Sequence, residues 1–253
     1  FAGETMTYCV GMQLDAGLIF MSDTRTNAGV DNISVFRKMF SWEADGERVI
    51  TMLTAGNLAT TQSVVSQLEE RSKRPEDRRP SILEAPSMFQ IANIVGETLR
   101  DTIRGGAMGG IQAESRFDAT IILGGQIKGG PPRLFLIYPE GNFIEASADT
   151  PFFQIGETKY GRPILVRAYD PAMSFEEAAK LLMVSFDSTL KANLSVGLPF
   201  DLQVVPVNAF HIGFETRIKA DDPYYNEVSR GWGNALKQAF KSLPEYSIPL
   251  YND

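Results

Sequence analysis

The chain has 253 residues, a formal net charge of −7 from 24 Lys and Arg against 31 Asp and Glu, and 43% hydrophobic residues. This composition is typical of a folded globular protein. The acidic balance argues against a nucleic-acid binder, which needs basic surface to displace counterions. A single cysteine and a single histidine, Cys9 and His211, exclude an internal disulfide framework and a Cys/His zinc site. No apolar run approaches the ~20 residues of a membrane span, so we expect no membrane partner. We expect a cytoplasmic protein that holds no cofactor and no metal.

The first part of the chain has the patterns of β-strands. Polar and apolar residues roughly alternate over Thr7–Leu14, and a short apolar run covers Gly17–Ser22 after a tight turn at Asp15. Two strands joined so closely predict a hairpin. A second pair of strands is predicted over Phe36–Trp42 and Val49–Ala55.

Two helices are predicted next. The first runs from Asn57 to about Arg74, and the second covers Met88–Arg104 and ends at Gly105-Gly106. The proline-rich and charged stretch 74–86 between them is expected to be a loop rather than a domain boundary, because the composition does not change across it. Two helices after four strands predict a helical layer packed on a sheet.

The rest of the chain continues the alternation of blocks. Ser174 and Glu177 have the spacing of a capping box, which predicts the start of a helix. The further predicted elements are strands at 118–123, 133–138, 142–146, 202–207 and 211–219, and helices at 174–193 and 224–243. Strands in blocks with paired helices predict an α+β layered sandwich, and we expect residues 7–253 to form a single domain.

Three polar or glycine-rich features have ordinary structural interpretations. The glycines of 105–110 follow a helix and lack a Lys-Ser/Thr pair, so we expect a loop and no phosphate site. Asp221-Asp222 is expected to be a solvated turn before the last helix. His211 is expected to be structural, at the start of a strand.

The segment around Met6-Thr7 carries the first chemical signal. If Met6 is the initiator and is removed, Thr7 heads the mature chain, and residues 1–6 are a leader or a cloning remnant. An N-terminal threonine has a hydroxyl nucleophile and an α-amine with a pKa of about 7.7–8.0 on one residue. Such a residue needs no histidine as general base, which suits a chain with only one.

A site of this kind needs a cation near the amine and an anion that holds the cation. Asp23 and Lys38, at the ends of predicted strands beside the first one, are the candidates. Acid and base residues at strand ends are also common as solvated caps, so spacing alone leaves both interpretations open. Cys9 lies two residues after Thr7 on the same strand face and is a second candidate nucleophile. We expect it instead to fill a small buried apolar position, because it would lack the free amine of an N-terminal residue.

Several segments resemble the active-site segments of a known family. Thr7, Ser22-Asp23-Thr24-Arg25, Lys38 and Thr54-Ala55-Gly56 are similar to those of proteasome β-type N-terminal nucleophile hydrolases. The longer strings resemble Anbu, the bacterial proteasome-related branch, and they extend over the whole chain. They cover residues 6–11, 22–31, 36–38, 155–161 and 193–199.

The resemblance implies a fold and a reaction. It implies a four-layer αββα sandwich in which Thr7 attacks the carbonyl of a peptide or isopeptide and forms an acyl-enzyme that water releases. Lys38 would stabilise the nucleophile and tune the amine, and Asp23 would hold Lys38. The implied activity is that of a threonine peptidase or amidohydrolase, blocked while residues 1–6 precede Thr7.

The resemblance also implies supporting roles for other residues. The Gly56 N–H would face the oxyanion, Asn27 would present backbone to an extended substrate, and Arg25 would support the floor of the site. Two motifs depart from the proteasome β-subunit pattern. Glu157 stands where a serine is usual, and Ser195 lacks an aspartate three positions before it, although it is the best candidate for the supporting hydroxyl.

Self-association and substrate selection follow from the same resemblance. The family forms rings or ring-like stacks, so we expect a homo-oligomer, and the absence of ATP-binding motifs assigns any unfolding ATPase to another protein. The specificity pocket is predicted near Thr26, Asn27, Met52 and Asn57. The alternative is a non-catalytic scaffold like the proteasome's α-type subunits, which would have no need of Thr7 together with an ion pair.

Overall fold

A computed structural model describes residues 7–27, 33–73, 80–107 and 117–248. Its strands are β1 Tyr8–Leu14, β2 Gly17–Asp23, β3 Arg25–Asn27, β4 Ile33–Val35, β5 Met39–Ala44, β6 Arg48–Gly56, β7 Ala119–Ile127, β8 Arg133–Ile137, β9 Phe143–Glu145, β10 Phe152–Gly156, β11 Phe200–Pro206 and β12 Phe214–Ile218. Its helices are α1 Leu58–Lys73, α2 Met88–Ala107, α3 Arg162–Ala168, α4 Phe175–Ala192 and α5 Pro223–Lys241.

Two five-stranded antiparallel sheets form the centre of the fold. The first has the strand order β10-β1-β2-β11-β12 and the second the order β5-β6-β7-β8-β9, while β3 and β4 form a separate small ribbon. The predicted first hairpin is confirmed, with Leu14 opposite Gly17 and Cys9 opposite Ser22.

The alternation of side chains along the strands builds four layers. On β2, Leu18 and Phe20 face the second sheet, whereas Ile19 and Met21 pack in the core beneath α3 and α4. A third apolar cluster lies between the second sheet and α1 and α2. Helices therefore cover the outer face of each sheet, which confirms the αββα sandwich.

Helix ends show where local sequence decides the structure. The predicted capping box is present, since Ser174 Oγ accepts from the Glu177 N–H at 3.2 Å and the Glu177 carboxylate accepts from the Ser174 N–H at 3.1 Å. The turn predicted at Asp221-Asp222 is also present, and the Asp222 carboxylate caps α5 by accepting from the Tyr225 N–H at 2.8 Å.

Several predicted boundaries are wrong. Helix α2 does not end at Gly105-Gly106 but continues to Ala107, and His211 lies in an exposed turn ahead of β12 rather than in the strand. The strands β3, β4 and β10 and the helix α3 were not predicted, because they are short and lack a clear hydrophobic period. Predictions for residues 1–6, for 74–79 and for 108–110 lie outside the described residues.

The last helix has two unlike halves. Tyr225, near its beginning, is buried against α4, where its hydroxyl donates to Asp187 at 3.1 Å. Toward its end, Leu236 and Phe240 are 50% and 77% exposed. None of the helices in the described ranges is long and apolar enough to cross a membrane.

Candidate active site

Thr7 is held at the point where β1 begins. Its side chain is buried, and its carbonyl accepts a hydrogen bond from the Glu157 N–H at 2.7 Å. Gly156, at the end of β10, has φ +82° and lies so close that a Cβ there would stand 1.9 Å from the Thr7 carbonyl oxygen. Only glycine fits this approach, so the end of β10 fixes the position of Thr7.

A buried ion pair lies beside Thr7. Asp23 ends β2, and its Oδ1 accepts from the Lys38 ammonium at 2.8 Å and from the Tyr8 N–H at 2.9 Å. Both charged side chains are almost fully buried, at 6% exposed for Lys38 and 0% for Asp23. A single carboxylate oxygen therefore joins the residue after Thr7 to the ammonium, and the predicted pair is in contact.

The main chain holds Lys38 from two sides. Its carbonyl accepts from the Thr54 N–H at 2.9 Å, which fastens residue 38 to β6. Its ammonium also donates to the Arg25 carbonyl at 2.6 Å. The predicted segments around Asp23, Lys38 and Thr54 thus converge from both sheets.

Burial and charge act in opposite directions on Asp23. Loss of solvent raises the pKa of the Asp23 carboxyl above its ordinary value, while the Lys38 ammonium and the N–H groups of Tyr8 and Gly197 oppose that rise. Removing one partner of such a pair leaves an uncompensated buried charge, which costs about 3–5 kcal/mol. The desolvation of both charges offsets most of their attraction, so burying the pair adds little net stability to the fold.

Tyr8 anchors the strand directly after Thr7, a role that sequence reasoning missed. Its hydroxyl makes a 2.8 Å hydrogen bond with Ser185 and accepts from Gln154 Nε2 at 2.6 Å. A Cβ on Gly161 would lie 2.2 Å from that hydroxyl oxygen. Burial raises the pKa of the Tyr8 phenol, so it stays protonated at neutral pH and positions the strand rather than transferring protons.

Arg25 packs against the loop 193–199. Its Nη1 donates to the Leu194 carbonyl at 2.8 Å, and a Cβ on Gly197 would lie 2.3 Å from the Arg25 Cζ. Thr24 donates from Oγ1 to the Pro199 carbonyl at 2.7 Å, one step along the same loop. Arg25 thus braces this loop, and its place at the floor of the site stays a prediction.

The two departures from the proteasome pattern meet in space. Asn193 Nδ2 donates to Glu157 Oε2 at 3.1 Å, and Asn193 Oδ1 accepts from the Ser195 N–H at 3.0 Å and also from the Ser195 hydroxyl. Sequence reasoning singled out Glu157 and Ser195 but gave no role to Asn193, which connects them. The only sequence signal was the absence of the usual aspartate in this motif.

The predicted substrate-facing residues are spread over the site. Gly56 closes β6 with φ +119°, and Asn27 closes β3. Asn57 caps α1 by accepting from the Thr60 N–H at 3.0 Å. The predicted pocket role of Met52 is wrong, because Met52 is fully buried in the cluster beneath α1 and α2, on the outer face of the second sheet.

Cys9 lies in the core between the two sheets. It is fully buried, its Sγ is 3.7 Å from the Thr54 carbonyl oxygen, and burial raises the pKa of its thiol well above the ordinary value. A buried thiol that stays protonated is a poor nucleophile. Within the described ranges no cluster of three His, Cys, Asp or Glu side chains could hold a metal ion.

Comparison with known sequences places this chain in a family. A family model described as proteasome subunit matches residues 4–205. The proteasome subunit beta of Haloquadratum walsbyi is 26% identical over 212 residues, which cover 83% of this chain and 77% of that protein.

Solved structures give stronger matches. An Anbu (Gly-1) mutant from Hyphomicrobium sp. strain MC1 is 48% identical with a TM-score of 0.88, over 96% of this chain and 100% of that one. Anbu (ancestral beta-subunit) from Yersinia bercovieri is 46% identical with a TM-score of 0.88, over 95% and 100%. A helical assembly of the Anbu complex from Pseudomonas aeruginosa is 42% identical with a TM-score of 0.87, over 95% and 98%.

Proposed function

Since this chain belongs to the proteasome subunit family and to its Anbu branch, we propose that it is an N-terminal threonine peptidase or amidohydrolase with Thr7 as the nucleophile. One observation carries the proposal. The buried Lys38–Asp23 ion pair is hydrogen-bonded to the residue that follows Thr7. A protein that only served as a scaffold would gain no stability from two charges buried there.

The proposed reaction needs no histidine. The free α-amine of Thr7 takes the hydroxyl proton while Oγ attacks the carbonyl carbon of a peptide or isopeptide. The resulting tetrahedral intermediate collapses, the leaving nitrogen takes the proton from the α-ammonium, and an ester to Thr7 remains. Water then attacks the ester with the same amine as base, which releases the acid and restores the hydroxyl.

Lys38 acts on this reaction through its charge. Its ammonium favours the ionised form of the Thr7 hydroxyl in the transition state and the neutral form of the nearby amine. Because the Lys38 side chain is only 6% exposed, the field of its charge is weakly screened by water. Asp23 and the Arg25 carbonyl fix its position by accepting at 2.8 and 2.6 Å.

Backbone groups are proposed to bind the substrate. The N–H of Gly56 donates to the developing oxyanion, and the backbone of Asn27 pairs with an extended peptide. Both residues end strands that contact Lys38. Gly56 ends β6, whose Thr54 N–H donates to the Lys38 carbonyl, and Asn27 ends β3, which starts at Arg25, the residue whose carbonyl accepts from the Lys38 ammonium. Ser195 and Glu157 support the site through Asn193 rather than by direct chemistry.

Activity is proposed to depend on a free amine at Thr7. In the chain as printed, a peptide bond joins Met6 to Thr7. An amide nitrogen is not basic, so residues 1–6 must be removed before Thr7 can act as its own base.

The active form is proposed to be a homo-oligomer in the cytoplasm, as a ring or an open ring-like stack. The helical assembly of the Anbu complex from Pseudomonas aeruginosa supports self-association. A small change in the rotation between subunits separates a closed ring from a helix. Any ATP-driven unfolding is assigned to a separate protein.

The test compares three forms: the chain that starts at Thr7, the chain with residues 1–6, and Thr7→Ala. We expect only the first to cleave a broad fluorogenic peptide library and to be labelled at Thr7 by a threonine-directed electrophile, as read by mass spectrometry. Thr7→Ala should lose at least about 10³-fold in turnover, with stability changed by about 1 kcal/mol or less. No cleavage and no label in the first form would favour the scaffold, and equal rates with and without residues 1–6 would refute the amine as base.

A further inference from the structure

The side chain of Asn193 joins two segments that meet beside Thr7. It directly follows α4, with its amide between Glu157 and Ser195. A backbone N–H can only donate, so the Ser195 N–H at 3.0 Å identifies the Asn193 atom facing it as the carbonyl oxygen. The Asn193 amide nitrogen therefore faces the Glu157 carboxylate, at 3.1 Å from Oε2.

Glu157 connects Asn193 to Thr7, because its side chain contacts Asn193 and its backbone N–H contacts Thr7. Both of its carboxylate oxygens are held, Oε2 by Asn193 and Oε1 by the Lys159 N–H at 3.1 Å. Its own N–H donates to the Thr7 carbonyl at 2.7 Å. A side chain fixed at both oxygens limits the movement of the backbone N–H that holds Thr7.

The other end of the Asn193 amide holds Ser195, which starts the part of the loop that borders the ion pair. Ser195 leads to Gly197, whose N–H stabilises the Asp23 carboxylate. Arg25 crosses the same loop, packs on Gly197 and donates to the Leu194 carbonyl. The loop that Asn193 fixes is therefore the one that borders both Asp23 and Arg25.

We propose that Asn193 is a positioning residue that sets the distance between the Thr7 hydroxyl and the Lys38–Asp23 pair. The inference rests on the proposed function. Asn193 moves no proton and touches no substrate. It acts through Glu157 on one side and through the loop 193–197 on the other.

The amide is essential for this role because one side must donate and the other must accept. An aspartate at 193 would still accept from Ser195, but it would place a second carboxylate against Glu157. The like charges would separate the two segments. A displacement of about 1 Å at a nucleophile can cost about 10²-fold in rate.

The experiment exchanges donor and acceptor between the two side chains, in the chain that starts at Thr7. Asn193→Asp should lower kcat by about 10-fold to 100-fold with KM changed less than about threefold. Asn193→Asp combined with Glu157→Gln places an amide opposite a carboxylate again, and should return kcat to within about threefold of wild type. Asn93→Asp is the matched control, because Asn93 on α2 also donates at 3.1 Å, to the Phe89 carbonyl. It should leave kcat unchanged.

A second readout does not depend on hydrolysis. Hydrogen exchange at the Glu157 amide reports its bond to Thr7, and Asn193→Asp should speed it while the double variant restores it. The proposal would be overturned if Asn193→Asp left kcat and the exchange rate unchanged, or if the double variant showed no rescue. Labelling of Thr7 in the same samples would still support the peptidase. An unlabelled wild type whose exchange follows the expected pattern would instead reject the proposed function and leave only the mechanical link.

Discussion

The two ends of the first sheet are built differently, although the same strands run through both. At the end far from Thr7, the Glu43 carboxylate accepts from the Ile212 N–H at 2.6 Å ahead of β12, while neutral main-chain bonds tie β1, β2 and β11 to their surroundings. These run from the Gln13 N–H to Pro151, from the Asp15 N–H to Pro171 and from the Val207 N–H to Ala16, at 2.8–2.9 Å. No ion pair is needed to close that end in the described structure.

At the Thr7 end, charged side chains form some of the hydrogen bonds that hold the backbone. Asp23, Lys38 and Glu157 each hold a piece of backbone there. Neutral bonds would close a sheet at lower cost, because buried charges must be desolvated. The comparison indicates that the buried pair at this end adds little stability to the fold, which agrees with the catalytic role proposed for it.

The largest effect is expected from removing the ammonium. Lys38→Met leaves Asp23 buried and unpaired, which should cost about 3–5 kcal/mol in the free energy of unfolding and abolish peptide cleavage. Adding Asp23→Asn removes the uncompensated charge, so the double variant should regain much of the stability and none of the activity. Denaturant unfolding and peptide cleavage measure the two effects separately. Cleavage by the double variant would contradict the proposed role of the pair.

The two ends can also be compared through a matched pair of glycines. Gly156 has φ +82°, and a Cβ there would lie 1.9 Å from the Thr7 carbonyl oxygen. Gly17 has φ +139°, and a Cβ there would lie 2.2 Å from the Val205 carbonyl oxygen. Gly156→Ala and Gly17→Ala should each destabilise by about 2–4 kcal/mol. Only Gly156→Ala should slow labelling of Thr7, by about 10²-fold, because only it displaces the nucleophile.

Equal labelling in the two alanine variants would show that the position of Thr7 does not depend on β10. Gly46→Ala provides the baseline for backbone strain alone, since Gly46 has φ +66° and a Cβ there would meet nothing within 4 Å.

A smaller effect is expected in the pH dependence of stability. Burial raises the folded-state pKa of Asp23 above 3.8, so between the unfolded and folded values the folded chain binds more protons than the unfolded one. Wild type should therefore lose stability relative to Asp23→Asn as the pH rises from below 3.8 through the folded-state pKa. Comparing unfolding of the two proteins across this range cancels the other carboxylates. A difference that stays constant or grows in favour of wild type would be inconsistent with a raised pKa.

The features that the sequence predicted well are those with local causes. The first hairpin follows from alternation and a tight turn, and α4 begins where Ser174 and Glu177 form their reciprocal bonds. Asp23 and Lys38 could be proposed because a strand end places a side chain beside the start of its neighbour. These signals lie within a few residues of the structure that they specify.

The features that were missed depend on distant partners. Strand β10 is defined by pairing with β1, whose residues lie 140 to 148 positions away in the chain. Helix α3 has only seven residues, with Gly161 as its N-cap and Pro163 in its first turn. The link through Asn193 depends on Glu157, which lies 36 positions away, so no local pattern reveals it. The strand β6 is buried along almost its whole length, so its sequence does not show that Met52 lies on the outer face of the second sheet.

The burial of Cys9 makes this chain convenient for chemical labelling. It is the one cysteine in the sequence, and its thiol lies sealed between the sheets with a raised pKa. Maleimides and other thiol reagents should therefore leave the native protein unmodified. A cysteine introduced on the exposed part of α5, for example at Phe240, would then carry a fluorophore or spin label at a single defined position.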